Sequence, residues 1–346
     1  MEFITRYIGN IPVYIYQTKK IKTVNISLEY IMDFKKEHYY NVISLGDYFP
    51  TGSIKYNTKQ KYANAISKLY SPQIYYSEDI NRYFHIISMR DTYINGKYLS
   101  SKNHDKRNIE MFKDVFFEVN HQYKEFPYTK KRIINSLKNF KNNGVSYSEI
   151  KACEISDRFY PYNITYEEKI KLINDFSLES VKEFYDYMLK KAYKMLFIIG
   201  DVSLDIIDYF SFLPEYINNN DSINISDLNR YVDEYKFEGI LENKENNDYS
   251  ETRLCLSYHY EFSKITLKNM IIRSFFSYIF VNSNNSYLFK ALRTDNSICY
   301  NVSGYYVNNF FYISLGINEN NYEITRKIIE EELKKFINDD ISDELI

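Results

Sequence analysis

Between Thr23 and Tyr30 the apolar residues Val24, Ile26, Leu28 and Tyr30 alternate with Asn25, Ser27 and Glu29. A period of two sends alternate side chains to opposite faces of an extended strand, so this segment predicts a strand with one buried and one wetter face. A sheet of that kind has to bury its apolar face under a second layer, which helices can supply. The flanking sequence offers both kinds of element. Ile11–Tyr16 reads as a preceding strand. Past the Pro50-Thr51-Gly52 turn, Thr58 can cap a helix whose apolar stripe is Tyr62, Ala65, Ile66 and Leu69. Gln73–Tyr76 and Tyr83–Met89 read as a second strand pair, followed by helices over Ile109–Tyr123, Tyr128 to about Asp157, and Leu178–Tyr193. The first half closes on a strand, MLFIIGDV.

The same grammar then repeats. After an Asn-, Asp- and Ser-rich stretch between Pro214 and Asn229, strands are expected at Arg253–Tyr260, Ile298–Tyr306 and Phe310–Gly316. Helices are expected at Ile265–Val281, Ser286–Leu292 and Glu323–Phe336. The fold class that follows is α+β: two related domains, each a mostly antiparallel sheet backed by helices. The expected division is 1–214 and 230–346, joined by a linker over 215–229.

Forty-four lysines and arginines stand against 46 acids in 346 residues. No net field would attract nucleic acid or an anionic bilayer, so neither is an expected partner. The N-terminus lacks the apolar run of a leader peptide, and no segment approaches the uninterrupted apolar length of a membrane span. Cys153, Cys255 and Cys299 are odd in number and widely spaced, which argues against a disulfide framework and a thiolate zinc site and favours a reducing, cytoplasmic setting. The 38 tyrosines, among many Asn, Ile and Lys, read as packing residues of a biased composition.

Chemistry-bearing motifs are few. His38, His85, His104, His121 and His259 are isolated from one another, so no helical zinc pair exists. Nucleophile-elbow, P-loop and dinucleotide-binding glycine patterns are all missing. Carboxylate runs such as Glu167-Glu168 and Glu330–Glu332 read as solvated helix faces.

The informative segment is YLFKALRTDNSICYNVSGYY, Tyr287–Tyr306. It resembles the signature of the insulinase, pitrilysin and mitochondrial-processing-peptidase family, in which a helix ending Leu-Phe-x-x-x-Arg leads through a turn into a strand carrying a tyrosine. Leu288, Phe289, Arg293 and Tyr300 match, with Cys299 where a small residue is usual. TKKIKTVNISLEY, FFSYIFVNSNNSYLF and MLFIIGDVS are similar to other parts of that family, and the likeness is to its short bacterial members that lack catalytic residues. The resemblance implies that Arg293 and Tyr300 bind the backbone of an extended peptide substrate, as fixed donors near developing negative charge.

The resemblance also locates what is missing. The family's inverted zinc motif, HxxEH, would fall on Ile43-Ser44-Leu45-Gly46-Asp47, so Ile43, Gly46 and Asp47 stand where two histidines and the base glutamate would be. The third ligand would fall near Asn135-Ser136-Leu137, again without a carboxylate. No metal is therefore expected in this chain, and zinc is expected in a partner. The family's second domain also continues past the point where this chain stops, which implies a second domain shortened at its C-terminus. The implied function is a noncatalytic subunit that pairs as a heterodimer with an HxxEH-bearing homologue and completes a peptidase chamber for leader or precursor peptides. One alternative is a peptide-binding or scaffold protein on the same fold. Another is an autonomous peptidase with unconventional ligands such as Asp47, His38 and a remote glutamate.

Overall fold

The computed structural model describes residues 3–49, 52–80, 84–101, 103–120, 124–156, 164–218, 239–260, 266–307 and 309–338. The strands and α-helices run, in chain order, β1 (Ile4–Ile8), β2 (Ile11–Gln17), β3 (Thr23–Asp33), α1 (Tyr39–Tyr48), α2 (Lys59–Ser67), β4 (Gln73–Ile80), β5 (Phe84–Ile94), α3 (His104–Phe116), α4 (Phe126–Phe140), α5 (Gly144–Ser156), α6 (Tyr166–Asp175), α7 (Leu178–Lys191), β6 (Tyr193–Gly200), α8 (Leu213–Tyr216), β7 (Thr252–His259), α9 (Leu267–Ser277), α10 (Tyr287–Phe289), β8 (Val302–Val307), β9 (Phe310–Ile317) and α11 (Tyr322–Asn338). The fold is α+β, built on one six-stranded and one three-stranded sheet.

The chain divides into two compact units, Met1–Ile134 with Tyr166–Ile223, and Asn135–Thr165 with Asn224–Ile346. Most of the anticipated linker, 219–229, lies outside the described residues.

In the first unit the strand order is β1-β2-β6-β3-β5-β4. All neighbours are antiparallel except β2 and β6. The period-two segment is the centre of this sheet: Val24, Ile26, Leu28, Tyr30 and Met32 are all buried. Each such side chain contributes roughly 1.5–3 kcal/mol by leaving water. The helical layer supplies Val42, Leu45, Phe112, Phe116, Phe184 and Met188, all buried as well. Thr58 caps α2 as expected, its hydroxyl accepting from the Lys61 amide at 3.2 Å.

In the second unit β9 lies between β7 and β8, antiparallel to both. One face of this sheet packs against the segment from Phe280 to Leu292 and against Ile329 of α11. The other face packs on α5, where Cys153 meets Phe310 and Tyr312 and the Ser156 and Ser257 hydroxyls share a hydrogen bond of 2.6 Å.

Several element limits differ from the sequence expectation, each for a local reason. The single helix expected from Tyr128 to about Asp157 is two, because Asn143 caps α5 by accepting from the Ser146 amide at 3.2 Å. The helix expected at Ile109–Tyr123 begins at His104 and ends at Phe116, since Val119 leaves the helix to form a β-bridge with Ser53. The α-helical part of the segment Ile265–Val281 is only Leu267–Ser277, and a π-turn carries the chain on to Asn282. The strand expected from Ile298 starts at Val302, because Ser297 takes a left-handed conformation with φ 52° and Ile298 and Cys299 turn into the core. Strand β1 and helices α1, α6 and α8 were not anticipated as elements.

Candidate functional site

Arg293 and Tyr300 sit on either side of a tightly specified turn. Leu288 and Leu292, one helical turn apart, are fully buried and fix the inner face of the segment. Ser286 begins it: the buried hydroxyl donates to the Val281 carbonyl at 2.8 Å and accepts from the Phe289 amide at 3.2 Å. A π-helical stretch, Lys290–Asp295, ends it. The Ser297 and Ile298 amides donate back to the Arg293 and Leu292 carbonyls at 3.2 and 2.8 Å, while the Asn296 side chain donates to the Ala291 carbonyl at 2.8 Å. A left-handed residue followed by a buried apolar one is the usual way to close a helix C-terminus, here with a wider loop.

This turn brings Arg293 and Tyr300 together. The Arg293 guanidinium carbon lies 4.7 Å from the centre of the Tyr300 ring and 5.0 Å from that of Phe289. A planar cation against two aromatic faces is held in orientation while its edge donors stay available. No carboxylate forms an ion pair with Arg293 among the described residues. Tyr300 is 80% exposed, so its phenol is open to a ligand. Cys299 points the other way: it is buried, and burial pushes its thiol up, against the opposing effect of the Arg293 charge. It is a packing residue rather than a thiolate nucleophile. The turn presents a rigid guanidinium and a phenol, a pair suited to peptide carbonyls or a carboxylate and unsuited to proton abstraction.

The sequence resemblance singles out Arg293 and Tyr300 but not the residues that hold them. The Phe289–Arg293 spacing of one turn was a signal for stacking. Nothing in the sequence signalled Asn282, which holds the strand behind the site. Its side-chain amide donates to the Gly304 carbonyl at 2.7 Å and its oxygen accepts from the Gly304 amide at 2.8 Å. Gly304 has no room for a side chain, since a Cβ there would sit 2.8 Å from Phe311 Cζ and 2.9 Å from Val281 Cβ.

The positions where the resemblance would put the zinc motif lie on α1. Ile43 and Asp47 are half-buried and Gly46 is exposed, so the three line the open side of a helix whose other side buries Val42, Leu45 and Tyr48. That open side is occupied by other chemistry. The Tyr76 ring crosses Gly46, where a Cβ would lie 3.1 Å from its Cδ1, and the Tyr76 hydroxyl donates to the Val42 carbonyl at 2.6 Å. Asp47 is ion-paired with Arg132 of α4. Among the described residues no three His, Cys, Asp or Glu side chains come together as a metal would require. The residues present do not fit zinc.

Nor does the unconventional set of Asp47 and His38 assemble. These residues lie at opposite ends of α1, about 13 Å apart at 1.5 Å per residue. His38 packs its ring on Phe184 and Tyr187, with centroids at 4.9 and 5.3 Å. His85 is a buried sheet residue stacked on Phe34 at 4.6 Å, and burial lowers its pKa to about 4. His121 lies outside the described residues. No helix among the described residues is long and apolar enough to cross a membrane.

Comparison with known proteins places these observations in a family context. Residues 175–346 match the family model described as the peptidase M16 inactive domain. The comparison with curated proteins finds no match. Among solved structures, the chain is similar to a conserved protein from Enterococcus faecalis V583 (TM-score 0.77, 17% identity), covering 100% of this chain and 82% of that one. It is also similar to a peptidase M16 inactive domain from Pseudomonas fluorescens (TM-score 0.72, 13% identity; 100% of this chain, 81% of that one). A protease from Helicobacter pylori matches at TM-score 0.72 and 13% identity, with 99% and 82% covered.

Proposed function

We propose that this chain, whose residues 175–346 match the peptidase M16 inactive domain and whose fold is similar to that of M16-type structures, is the noncatalytic subunit of a heteromeric zinc metallopeptidase of the insulinase type. The observation that carries the reading is the guanidinium of Arg293, stacked between Phe289 and Tyr300 and not committed to any carboxylate among the described residues, in a chain whose own motif positions hold Ile43, Gly46 and Asp47.

An active homologue bearing HxxEH supplies the zinc and the base. This chain binds the backbone of an extended peptide through Arg293 and Tyr300. Charge-assisted donors held in place contribute more than mobile ones, because little side-chain entropy is lost on binding. Leader or precursor peptides are the natural substrate class, since only an extended chain offers its carbonyls to fixed donors. The odd number and wide spacing of Cys153, Cys255 and Cys299 favour a cytoplasmic setting.

The test begins with a pull-down from the host, scored for a co-purifying HxxEH protein. Peptide cleavage by the purified complex is then compared with that of complexes carrying Arg293→Ala and Tyr300→Phe. The expected result is an intact complex with kcat/KM lowered by about tenfold or more for Arg293→Ala, the loss of one charged hydrogen bond. An unchanged rate with intact assembly rejects the substrate-binding role and leaves a scaffold.

A further inference from the structure

Helices α2 and α3 lie side by side within the first unit. Just before α2, the Lys55 ammonium donates to the Asp114 carboxylate near the C-terminus of α3 at 2.6 Å. Just after α2, the Tyr70 ring lies 5.6 Å from that of His104, the first residue of α3. The two helices therefore run antiparallel. Lys61, Ala65 and Lys68, along α2 and its C-cap, face Arg107, Met111 and Asp114 of α3. Each set has the i, i+4, i+7 spacing of one helical face. Facing stripes of that spacing are usually apolar and interlock, whereas these carry charge and enclose a cavity of about 390 Å³.

The cavity is graded along its length. Its floor is apolar, with Leu69 and Met111 buried and Ala65 half-buried. At one end the acids are already engaged: Asp114 accepts from Lys55 and, at 3.2 Å, from the Tyr56 hydroxyl, and Glu110 lies 3.9 Å from Lys106. The antiparallel course gathers Lys68 and Arg107 at the other end, where α2 finishes and α3 begins. Both are exposed, and neither side chain forms an ion pair or hydrogen bond among the described residues. Arg107 stands in the first turn of α3, where the helix dipole disfavours a cation. Two uncommitted cations at one mouth of a cavity repel each other, a cost that an anion bound between them would offset. A local rule broken in this way, beside a cavity, is the mark of a site rather than of packing.

We propose that the cavity between α2 and α3 binds a small phosphate monoester, its phosphate held between Lys68 and Arg107 and its apolar body lying over Ala65, Leu69 and Met111. Two uncommitted cations match a dianion, whereas a carboxylate would neutralise only one of them. Arg107 offers paired donors that fit phosphate oxygens, and Lys68 adds a point charge. Asp114 and Glu110 repel a second anionic group at the far end, so the ligand carries its charge at one end only. The volume falls within the roughly 300–1,000 Å³ of small-molecule sites. The site uses neither Arg293 nor Tyr300 and stands if the peptidase reading fails.

The probe is phenyl phosphate, titrated into the full chain by isothermal calorimetry at low salt and at pH 8, where the phosphate is a dianion. Benzoate and inorganic phosphate are titrated beside it. The expected result is one-to-one binding of phenyl phosphate with Kd below about 1 mM and benzoate weaker by about tenfold or more. Lys68→Gln and Arg107→Gln, at exposed positions, should each weaken phenyl phosphate by about tenfold. Ala65→Leu, which fills the floor, should weaken phenyl phosphate and leave inorganic phosphate unchanged. Thermal unfolding without ligand checks that each variant is folded. Absence of saturable phenyl phosphate binding overturns the proposal. Benzoate binding as tightly as phenyl phosphate overturns it too, as does binding that survives both Lys68→Gln and Arg107→Gln, since the anion then lies elsewhere.

Discussion

At the scale of single residues, the candidate site depends on groups that carry no chemistry of their own. Arg293 is oriented by Phe289 and Tyr300, and the strand that follows is held at Gly304 by Asn282. Replacing Asn282 by Ala leaves the Gly304 amide without its partner, while the Gly304 carbonyl keeps the Ser277 hydroxyl at 2.8 Å, and Asn282→Ala is expected to lower stability by about 1–2 kcal/mol in urea denaturation. Asn282→Asp restores the bond to the amide but not to the carbonyl, so it should fall between. The cysteines give a second test. Burial pushes the Cys255 thiol up to about 12 and raises that of Cys299, and Cys153 is buried. All three should react slowly with iodoacetamide at pH 8 in the folded protein and quickly once it is unfolded. Rapid labelling of Cys299 in the native state would contradict its role as a packing residue.

Among the elements, β5 carries a pH dependence that can be isolated. His85 is buried against Phe34, with a pKa lowered from 6.5 to about 4. The unfolded chain therefore binds a proton between those values that the folded chain does not. Stability from this group is complete above about pH 6.5 and is lost as pH falls toward 4, by about 3 kcal/mol. His38 and His104 are lowered by burial too and act in the same direction. The buried Asp91 is raised and acts oppositely. The comparison is thus between wild type and His85→Phe, whose stability should depend less steeply on pH between 6.5 and 4. Helix α1 offers another test. Asp47 pairs with Arg132 at the surface, so Arg132→Ala should cost less than about 1 kcal/mol, and no zinc should be taken up by that variant in a metal analysis. The elements themselves were legible where the pattern was strong, as in the Thr23–Tyr30 alternation and the cap at Thr58. Their ends were not, because Asn143, Val119 and Ser297 set them through side-chain caps, a bridge and a left-handed turn.

For the whole molecule, the second unit draws on both halves of the chain. Helix α5, encoded before α6, α7 and β6, covers one face of the sheet formed by β7, β8 and β9. A fragment of residues 224–346 alone would expose Phe310 and Tyr312 where Cys153 now packs, and it is expected to lack cooperative urea unfolding. Adding residues 135–165 as a separate peptide should restore it. What the sequence by itself determined were features written in short-range spacing: the period-two strand and the recurrence of strands and helices in two halves. What only the tertiary structure decided were relations between residues far apart in sequence. It paired Asp47 with Arg132, laid Tyr76 across Gly46, and placed α5 on the second sheet. Spacing along the chain fixes which side chains share a face, whereas the neighbour that covers that face is chosen by packing across the fold.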